Sequence, residues 1–197
     1  PRPEEYDLGR IGRITINQVD LYSKPRDDSE IIGKRYRDQL VHIYYDVESP
    51  DGPAYNPLWY RVWGGYLHSA YLQIVELNHN QPLAVVPQAG QLCEVTLPYT
   101  VAYQYDFWQG WHPWEGSRLY YQTTHWITAI EEGPDGKPWY LLTSEIDANL
   151  RYFVPTAHLR PILPEEIAPL SPDVPEHLKR IEVSIGRQTF TAFEDGQ

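Results

Sequence analysis

Few residues of this chain have the type and spacing that covalent catalysis needs. Cys93 is the only cysteine, so no internal disulfide can form. A reactive thiolate needs a neighbouring base or positive charge, and the segment Gln91–Val95 contains no adjacent His-Gly pair. We therefore predict that Cys93 is an inert, buried strand residue, and we predict no catalytic residue in the chain.

The histidines and the carboxylate pairs show no metal-binding or acid–base pattern. No two His residues have close ligand spacing, and neither a His-Glu-x-x-His nor a Cys-Cys pattern occurs. We interpret His125 as a partly buried strand residue, and Glu131-Glu132 and Glu165-Glu166 as solvated pairs. No glycine-rich phosphate loop follows a strand. The sequence therefore predicts neither a metal nor a cofactor.

The stretch 103–118 carries the strongest binding signal, because six aromatic rings fall within 12 residues among Gly, Pro and Asp. Trp and Tyr rings stack on sugar rings or pack on peptide side chains, and the carboxylates of Asp106 and Glu115 can meet an amine. The alternative is that these rings plug a domain core or bury an interface between domains. Exposing several large aromatics without a partner is uncommon. The predicted ligand-binding residues here are Tyr105, Asp106, Trp108, Trp111, His112 and Trp114.

A second aromatic face is predicted in the first half of the chain. Its ligand-binding candidates are Tyr44, Tyr55 and Trp63. Trp59 and its counterpart Trp139 are predicted to be core residues instead, because each opens a central strand.

The elements that must position these residues are predicted to be short β-strands. Sustained helical periodicity is nearly absent, and 18 Pro and 13 Gly interrupt the chain along its whole length. Short runs rich in β-branched and aromatic residues recur between turn dipeptides such as Asp51-Gly52 and Asp135-Gly136. The pattern predicts an all-β fold.

The chain also repeats itself weakly. Residues 66–75 align without gaps on 152–161 at a shift of 86, and a slip to 87 pairs Leu72 with Leu159. We prefer the slipped alignment at that end, because it keeps apolar residues together. The segment 41–43 likewise matches 125–127. We predict one domain at 9–77, a connector at 78–90 and a second domain at 91–163.

The composition changes after the second predicted domain. Five prolines fall within 15 residues from Pro161 to Pro175, which predicts an extended linker at 164–178. A period-2 run at 180–185 and a second run at 189–193 predict a hairpin within 179–197, which on its own is marginally stable.

Charge and hydrophobicity exclude two classes of partner. The net charge of −11 repels phosphate backbones, so we predict no nucleic-acid partner. No apolar stretch of about 18 residues occurs, so no membrane helix is predicted.

The chain begins with Pro1 and contains no Met, so we expect an excerpt or a processed form.

The segment 65–72, GYLHSAYL, resembles the closing signature of bacterial SH3-like (SH3b) domains, a last strand followed by a short 3₁₀ turn. The segments 19–25 (VDLYSKP), 31–33 (IIG) and 59–62 (WYRV) are similar to earlier strands of that family. The second domain is more divergent and keeps 139–140 (WY) and 152–155 (YFVP). This resemblance implies two tandem SH3-like small β-barrels, the second with 103–118 as a long loop beside the ligand groove.

The segments 179–185 (KRIEVSI) and 188–196 (QTFTAFEDG) resemble the first hairpin of YkuD-type L,D-transpeptidase catalytic domains. Such enzymes cross-link peptidoglycan stem peptides through a Cys nucleophile in a Ser/Thr-His-Gly-Cys segment. No such segment occurs in this chain, so the resemblance implies the start of a truncated catalytic domain and an inactive fragment.

Two functions are compatible with these resemblances. The first is a non-catalytic region that binds peptidoglycan, through its stem peptide or its glycan, and holds a secreted L,D-transpeptidase at the bacterial cell wall. The second is a structural scaffold that packs on the enzyme's own catalytic domain and positions or gates it without binding the wall. Exposure of Trp108, Trp111 and Trp114 separates the two.

Overall fold

The computed structural model describes residues 10–51, 56–144 and 150–196, with the side chain of Glu115 excepted. In these ranges the regular elements are β-strands and single turns of 3₁₀ helix, with no α-helix, so the all-β prediction is confirmed. No helix in the described ranges has the length and hydrophobicity needed to span a bilayer. Residues up to Pro161 form one compact unit, and those from Ile162 onward form a second.

The first sheet is antiparallel and has seven strands. Their order across the sheet is β3-β2-β6-β5-β4-β1-β7. In chain order, a 3₁₀ turn at Ser69–Tyr71 joins the sixth and seventh strands of this sheet. The strands are β1 Arg10–Ile14, β2 Gln18–Tyr22, β3 Ile31–Tyr36, β4 Leu40–Glu48, β5 Leu58–Val62, β6 Gly65–His68 and β7 Leu72–Val75.

The second sheet has the same design. Its order is β10-β9-β13-β12-β11-β8-β14, which reproduces the first order strand for strand, and a 3₁₀ turn at Thr156–His158 precedes its last strand. The strands are β8 Gln91–Val95, β9 Tyr99–Asp106, β10 Gly110–Tyr120, β11 Thr124–Glu132, β12 Pro138–Thr143, β13 Arg151–Pro155 and β14 Leu159–Pro161. Within the described ranges, neither sheet is closed into a barrel by pairing of its two edge strands.

The strand pairings fix how the repeats align. His68 pairs with Trp59, and Pro155 pairs with the equivalent Trp139, which is a shift of 87 residues from His68 to Pro155. The ungapped alignment at 86 is therefore wrong. The 87-residue shift that we preferred at one end holds along the whole segment. A slip of one residue would have turned every side chain of the strand to the opposite face.

Each sheet encloses its own apolar core on one face. The first core is built from alternate residues of its strands, including Ile14, Ile43 and Leu67. Alternation follows from the strand period of two, which sends neighbouring side chains to opposite faces. The second core contains Cys93, Val95, Ala102, Leu119, Ile127, Tyr140, Leu142, Tyr152, Val154 and Leu159.

The two predicted core tryptophans are confirmed as buried. Trp59 is 0% exposed and Trp139 is 5% exposed. Their indole N–H groups differ, because Trp139 Nε1 donates to Asp135 Oδ1 at 2.8 Å, whereas Trp59 Nε1 has no partner among the described residues.

An ion-pair cluster joins the two sheets of this unit. Asp38 is buried in the first sheet and accepts a hydrogen bond from Arg13 Nη1 at 2.8 Å. Its other carboxylate oxygen accepts from Arg118, on β10 of the second sheet. The guanidinium of Arg13 also lies over the ring of Tyr120, 4.2 Å from its centroid.

The second unit, residues 162–197, contains two 3₁₀ turns at Pro164–Glu166 and Glu176–Leu178 and one antiparallel hairpin. The hairpin pairs β15 Lys179–Ser184 with β16 Thr189–Glu194, which confirms the strand pair predicted for this region. Its apolar residues Ile181, Val183 and Phe190 are more than half exposed.

Candidate functional site

The aromatic stretch 103–118 is a β-hairpin rather than the loop that we expected. Its strands β9 and β10 pair from Tyr99↔Tyr120 to Asp106↔Gly110, with a register shift between Pro113 and Arg118. β10 lies at the edge of the sheet, and an edge strand tolerates Pro because one side of its backbone needs no partner. The rings are therefore held by a sheet.

Asp106 fixes the tip of this hairpin. Its Oδ1 accepts from the backbone N–H groups of Trp108 at 2.7 Å and Gln109 at 2.6 Å. Its Oδ2 lies 3.0 Å from Nε2 of His112. Gly110 closes the turn with a φ of 66°, a conformation that glycine adopts without strain. The three-residue tip 107–109 is thus tied to the strands by one carboxylate.

These bonds also favour the ionised form of Asp106. The hydrogen bond from the Gln109 N–H, followed by those from Trp108 and His112, lowers the pKa of the Asp106 carboxyl. The carboxylate that we predicted to meet an amine of a ligand is therefore engaged within its own hairpin. Its main role in this geometry is to position the tip.

The tip presents two aromatic rings to solvent. Phe107 is 84% exposed and Trp108 is 89% exposed. Their ring centroids are 5.4 Å apart, in an edge-to-face arrangement. The pair is held at the end of a two-stranded arm, so its rings are available to a partner.

The rings behind the tip form an aromatic cluster on the outer face of the second sheet. The half-buried Trp111 is central, because its ring centroid lies 4.8 Å from Phe153, 5.4 Å from Tyr105 and 6.0 Å from Trp139. Tyr103 adds an edge-to-face contact to Trp139 at 5.2 Å. The same strands thus bury one set of side chains in the core and a second set outside it.

Trp114 occupies a different position from Trp111. It is half-buried and packs against the core, with its ring 5.4 Å from that of Tyr152. The predicted residues of the hairpin therefore separate into an exposed tip, an outer cluster and a ring directed to the core. Of these rings, Trp114 is the one that packs against the domain core, as the core-plugging alternative supposed.

An open groove runs along the outer face beside the hairpin. Its volume is about 510 Å³. The apolar part of its wall is Tyr105, Leu141 and Phe153. The polar part is Gln104, Asp106, His112, Glu131 and Arg151. A groove with an aromatic wall and several polar groups can hold a sugar ring or a short peptide.

The aromatic face predicted for the first sheet is less developed. Tyr44 is 52% exposed and stacks on His42, whereas Trp63 is 76% exposed at the β5–β6 turn. No ring contact joins Tyr44 to Trp63 within the described ranges. Tyr55 lies outside the described residues. A ligand-binding role of these three residues stays a prediction.

Cys93 is a buried strand residue, as the sequence predicted. It is fully buried on β8, and its Sγ is 3.1 Å from the carbonyl oxygen of His125. Burial raises the pKa of its thiol to about 12, so the nucleophilic thiolate is suppressed. Among the described residues, no group of three or more His, Cys, Asp or Glu could hold a metal ion.

His125 is half-buried, as predicted. Burial lowers the pKa of its imidazole. Its Nδ1 lies 3.0 Å from the Tyr152 hydroxyl, and its Nε2 lies 3.0 Å from Thr123 Oγ1. These contacts order the strand and reach none of the rings of the outer cluster.

Sequence reasoning missed the part of the groove that comes from other strands. Glu131, Arg151 and Phe153 were not predicted as site residues, although all three line the groove. Alternation on β13 places Phe153 opposite the core residues Tyr152 and Val154, which is a usable signal. The sequence gives no comparable signal for Glu131.

Neither protein-family models nor curated proteins show a match to this sequence.

Proposed function

We propose that this chain is the non-catalytic, peptidoglycan-binding region of a secreted L,D-transpeptidase. Residues 9–77 and 91–163 are its two SH3-like domains, and 164–178 links them to the beginning of the catalytic domain at 179–197. The site of action is the bacterial cell wall. The observation that carries the proposal is the exposed pair Phe107 and Trp108, held at the end of a tied hairpin.

The repeated architecture supports the SH3-like part of this proposal. Two sheets of identical strand order each end with a 3₁₀ turn followed by a short strand. The motif that carries the resemblance, residues 65–72, spans β6, that turn and the start of β7. The sequence similarity and the order of elements therefore fall on the same residues.

The energetics of the tip support a binding role. A large aromatic side chain buries roughly 150–250 Å² when it is covered, and apolar burial contributes about 25 cal/mol per Å². Leaving two such rings in water gives up that stabilisation in the isolated chain. A partner that covers them recovers it. Pyranose rings and peptide side chains both offer the apolar faces that this requires.

The second candidate function, a scaffold for the catalytic domain, uses the same rings differently. It is favoured by Arg118, because the base of the aromatic hairpin is tied to Asp38 of the first sheet. In that case the tip would pack on the catalytic domain and leave the wall untouched. The two functions differ in whether the chain alone binds peptidoglycan.

Co-sedimentation with purified peptidoglycan sacculi tests the proposal. We expect the chain to pellet with sacculi and a Phe107→Ala/Trp108→Ala double variant to bind at least about ten-fold more weakly, because central aromatic anchors dominate contact energies. Phe190→Ala is the control, since it removes a 67% exposed ring that lies outside both predicted aromatic faces. A chain that stays in the supernatant would leave the scaffold as the better function.

A further inference from the structure

A cleft of about 410 Å³ lies where the two sheets meet, away from the groove of the outer face. Arg37, which follows β3, contributes one wall, and Arg118 on β10 contributes another. The remaining wall combines the apolar side chains of Val101, Pro113 and Trp114 with the hydroxyl-bearing Ser117 and Tyr120. Each sheet therefore supplies one guanidinium to the same cavity.

These guanidinium groups retain unused donors. Arg37 donates through Nε to Asn17 Oδ1 at 2.9 Å, and its two Nη groups have no acceptor among the described residues. Arg118 uses Nη1 for Asp38 and holds its guanidinium over Tyr99, 5.0 Å from the ring centroid. An arginine offers five N–H donors in a planar fork that matches a carboxylate.

Arginine side chains are concentrated at this junction, although the chain as a whole is acidic. Asp38 is the carboxylate that pairs with Arg118 at this junction, and both of its oxygens are already bound by Arg13 and Arg118. Arg13 and Arg118 bind Asp38, and Arg37 adds a third guanidinium in the cleft, so arginines outnumber this carboxylate among these described side chains, in a chain whose net charge is −11. A small anion is therefore favoured in this cleft.

We propose that this cleft binds a carboxylate that carries a small apolar group, such as the C-terminal end of a peptide. The carboxylate would lie between Arg37 and Arg118, and the apolar group would lie against Pro113 and Trp114. The apolar part of the wall favours such a ligand over inorganic phosphate, which would leave those side chains in contact with water. This site is separate from the aromatic tip and does not depend on binding to the wall.

An NMR titration of the full chain with N-acetylalanine tests this site, with the Trp114 indole N–H as reporter. We expect a saturable shift with the acid and none with N-acetylalanine amide, which has the same shape without the charge. Arg37→Gln should weaken binding roughly ten-fold, because it removes charge-assisted hydrogen bonds. Lys24→Gln, a charge-matched change at an exposed residue outside the cleft, should leave binding unchanged.

Three results would overturn the inference. They are an equal shift with the amide, unchanged binding by Arg37→Gln, and tighter binding of inorganic phosphate than of the acid. Arg37 contacts Asn17 at the surface and is not part of either core, so the variant should fold. Sacculus binding with no response to N-acetylalanine would contradict only this inference. A response to N-acetylalanine without sacculus binding would contradict only the proposed function.

Discussion

Replacing Asp38 with Ala should lower the free energy of unfolding by about 3–5 kcal/mol, because it leaves a buried guanidinium without its carboxylate. The Arg13 side chain is 7% exposed, and its Nη1 bonds to Asp38. Its Nη2 donates to Gln73 Oε1 at 2.7 Å, which cannot replace a charge. Urea denaturation followed by tryptophan fluorescence measures the effect.

The backbone at Asp38 adds a second cost that must be separated from the first. Its φ of 66° lies in the left-handed region, which Asn tolerates better than Ala. Asp38→Asn therefore removes the charge without the added backbone strain, and it should also destabilise the chain. If Asp38→Asn were as stable as the native chain, the charge of Asp38 would not be what stabilises this junction.

Arg118→Ala is the matched control for the same cluster. The Arg118 side chain is 44% exposed, so solvent compensates for much of its ion pair. We expect a loss of about 1 kcal/mol or less. Because Asp38→Ala removes both ion pairs, an equal loss for Arg118→Ala would show that the exposed Arg118 pair accounts for the whole effect, contrary to the burial of the two pairs.

Replacing Trp139 with Ala should lower the free energy of unfolding by about 3–5 kcal/mol, the range for deleting a buried large aromatic. Trp139 is packed by Tyr103 and Trp111, and its indole N–H bonds to Asp135. The variant should also loosen Trp111, so the near-ultraviolet circular dichroism should fall. Trp63→Ala, at a 76% exposed ring, should change stability by no more than about 0.5 kcal/mol.

Gly133→Ala tests the same packing without replacing Trp139, and it should lower the free energy of unfolding. A Cβ at Gly133 would lie 2.1 Å from Cδ1 of Trp139, so the indole would have to move. At Gly186 an added Cβ meets nothing within 4 Å, and Gly186→Ala is the matched control. Equal stability of the two variants would contradict the position of Trp139 against this turn.

Short β-type runs and turn residues were sufficient to predict the all-β fold. The burial of Trp59 and Trp139 followed from their places at the start of central strands, and that of Cys93 from the usual burial of a free cysteine. The alignment of the repeats was harder. The ungapped match placed Tyr66 on Tyr152, yet Tyr152 belongs to the core and Tyr66 does not. Only the pairing of neighbouring strands shows the one-residue shift.

The hairpin was mistaken for a loop because Gly, Pro and Asp are typical of loops. Here each has a role in the sheet. Asp106 closes the tip, Pro113 lies on an edge strand, and Gly116 takes a φ of 75° within the register shift. The pair Asp38–Arg118 joins residues 80 positions apart, and no local pattern predicts such a contact.

The most direct test of the central claim is whether the tip of this hairpin contacts peptidoglycan. The chain can be labelled with 5-fluorotryptophan and titrated with soluble peptidoglycan fragments while ¹⁹F NMR resolves its seven tryptophans. We predict that the resonance of Trp108 shifts first and that of Trp111 follows, whereas the fully buried Trp59 does not move. A titration in which only Trp63 shifts, or in which no resonance moves, would contradict the proposal.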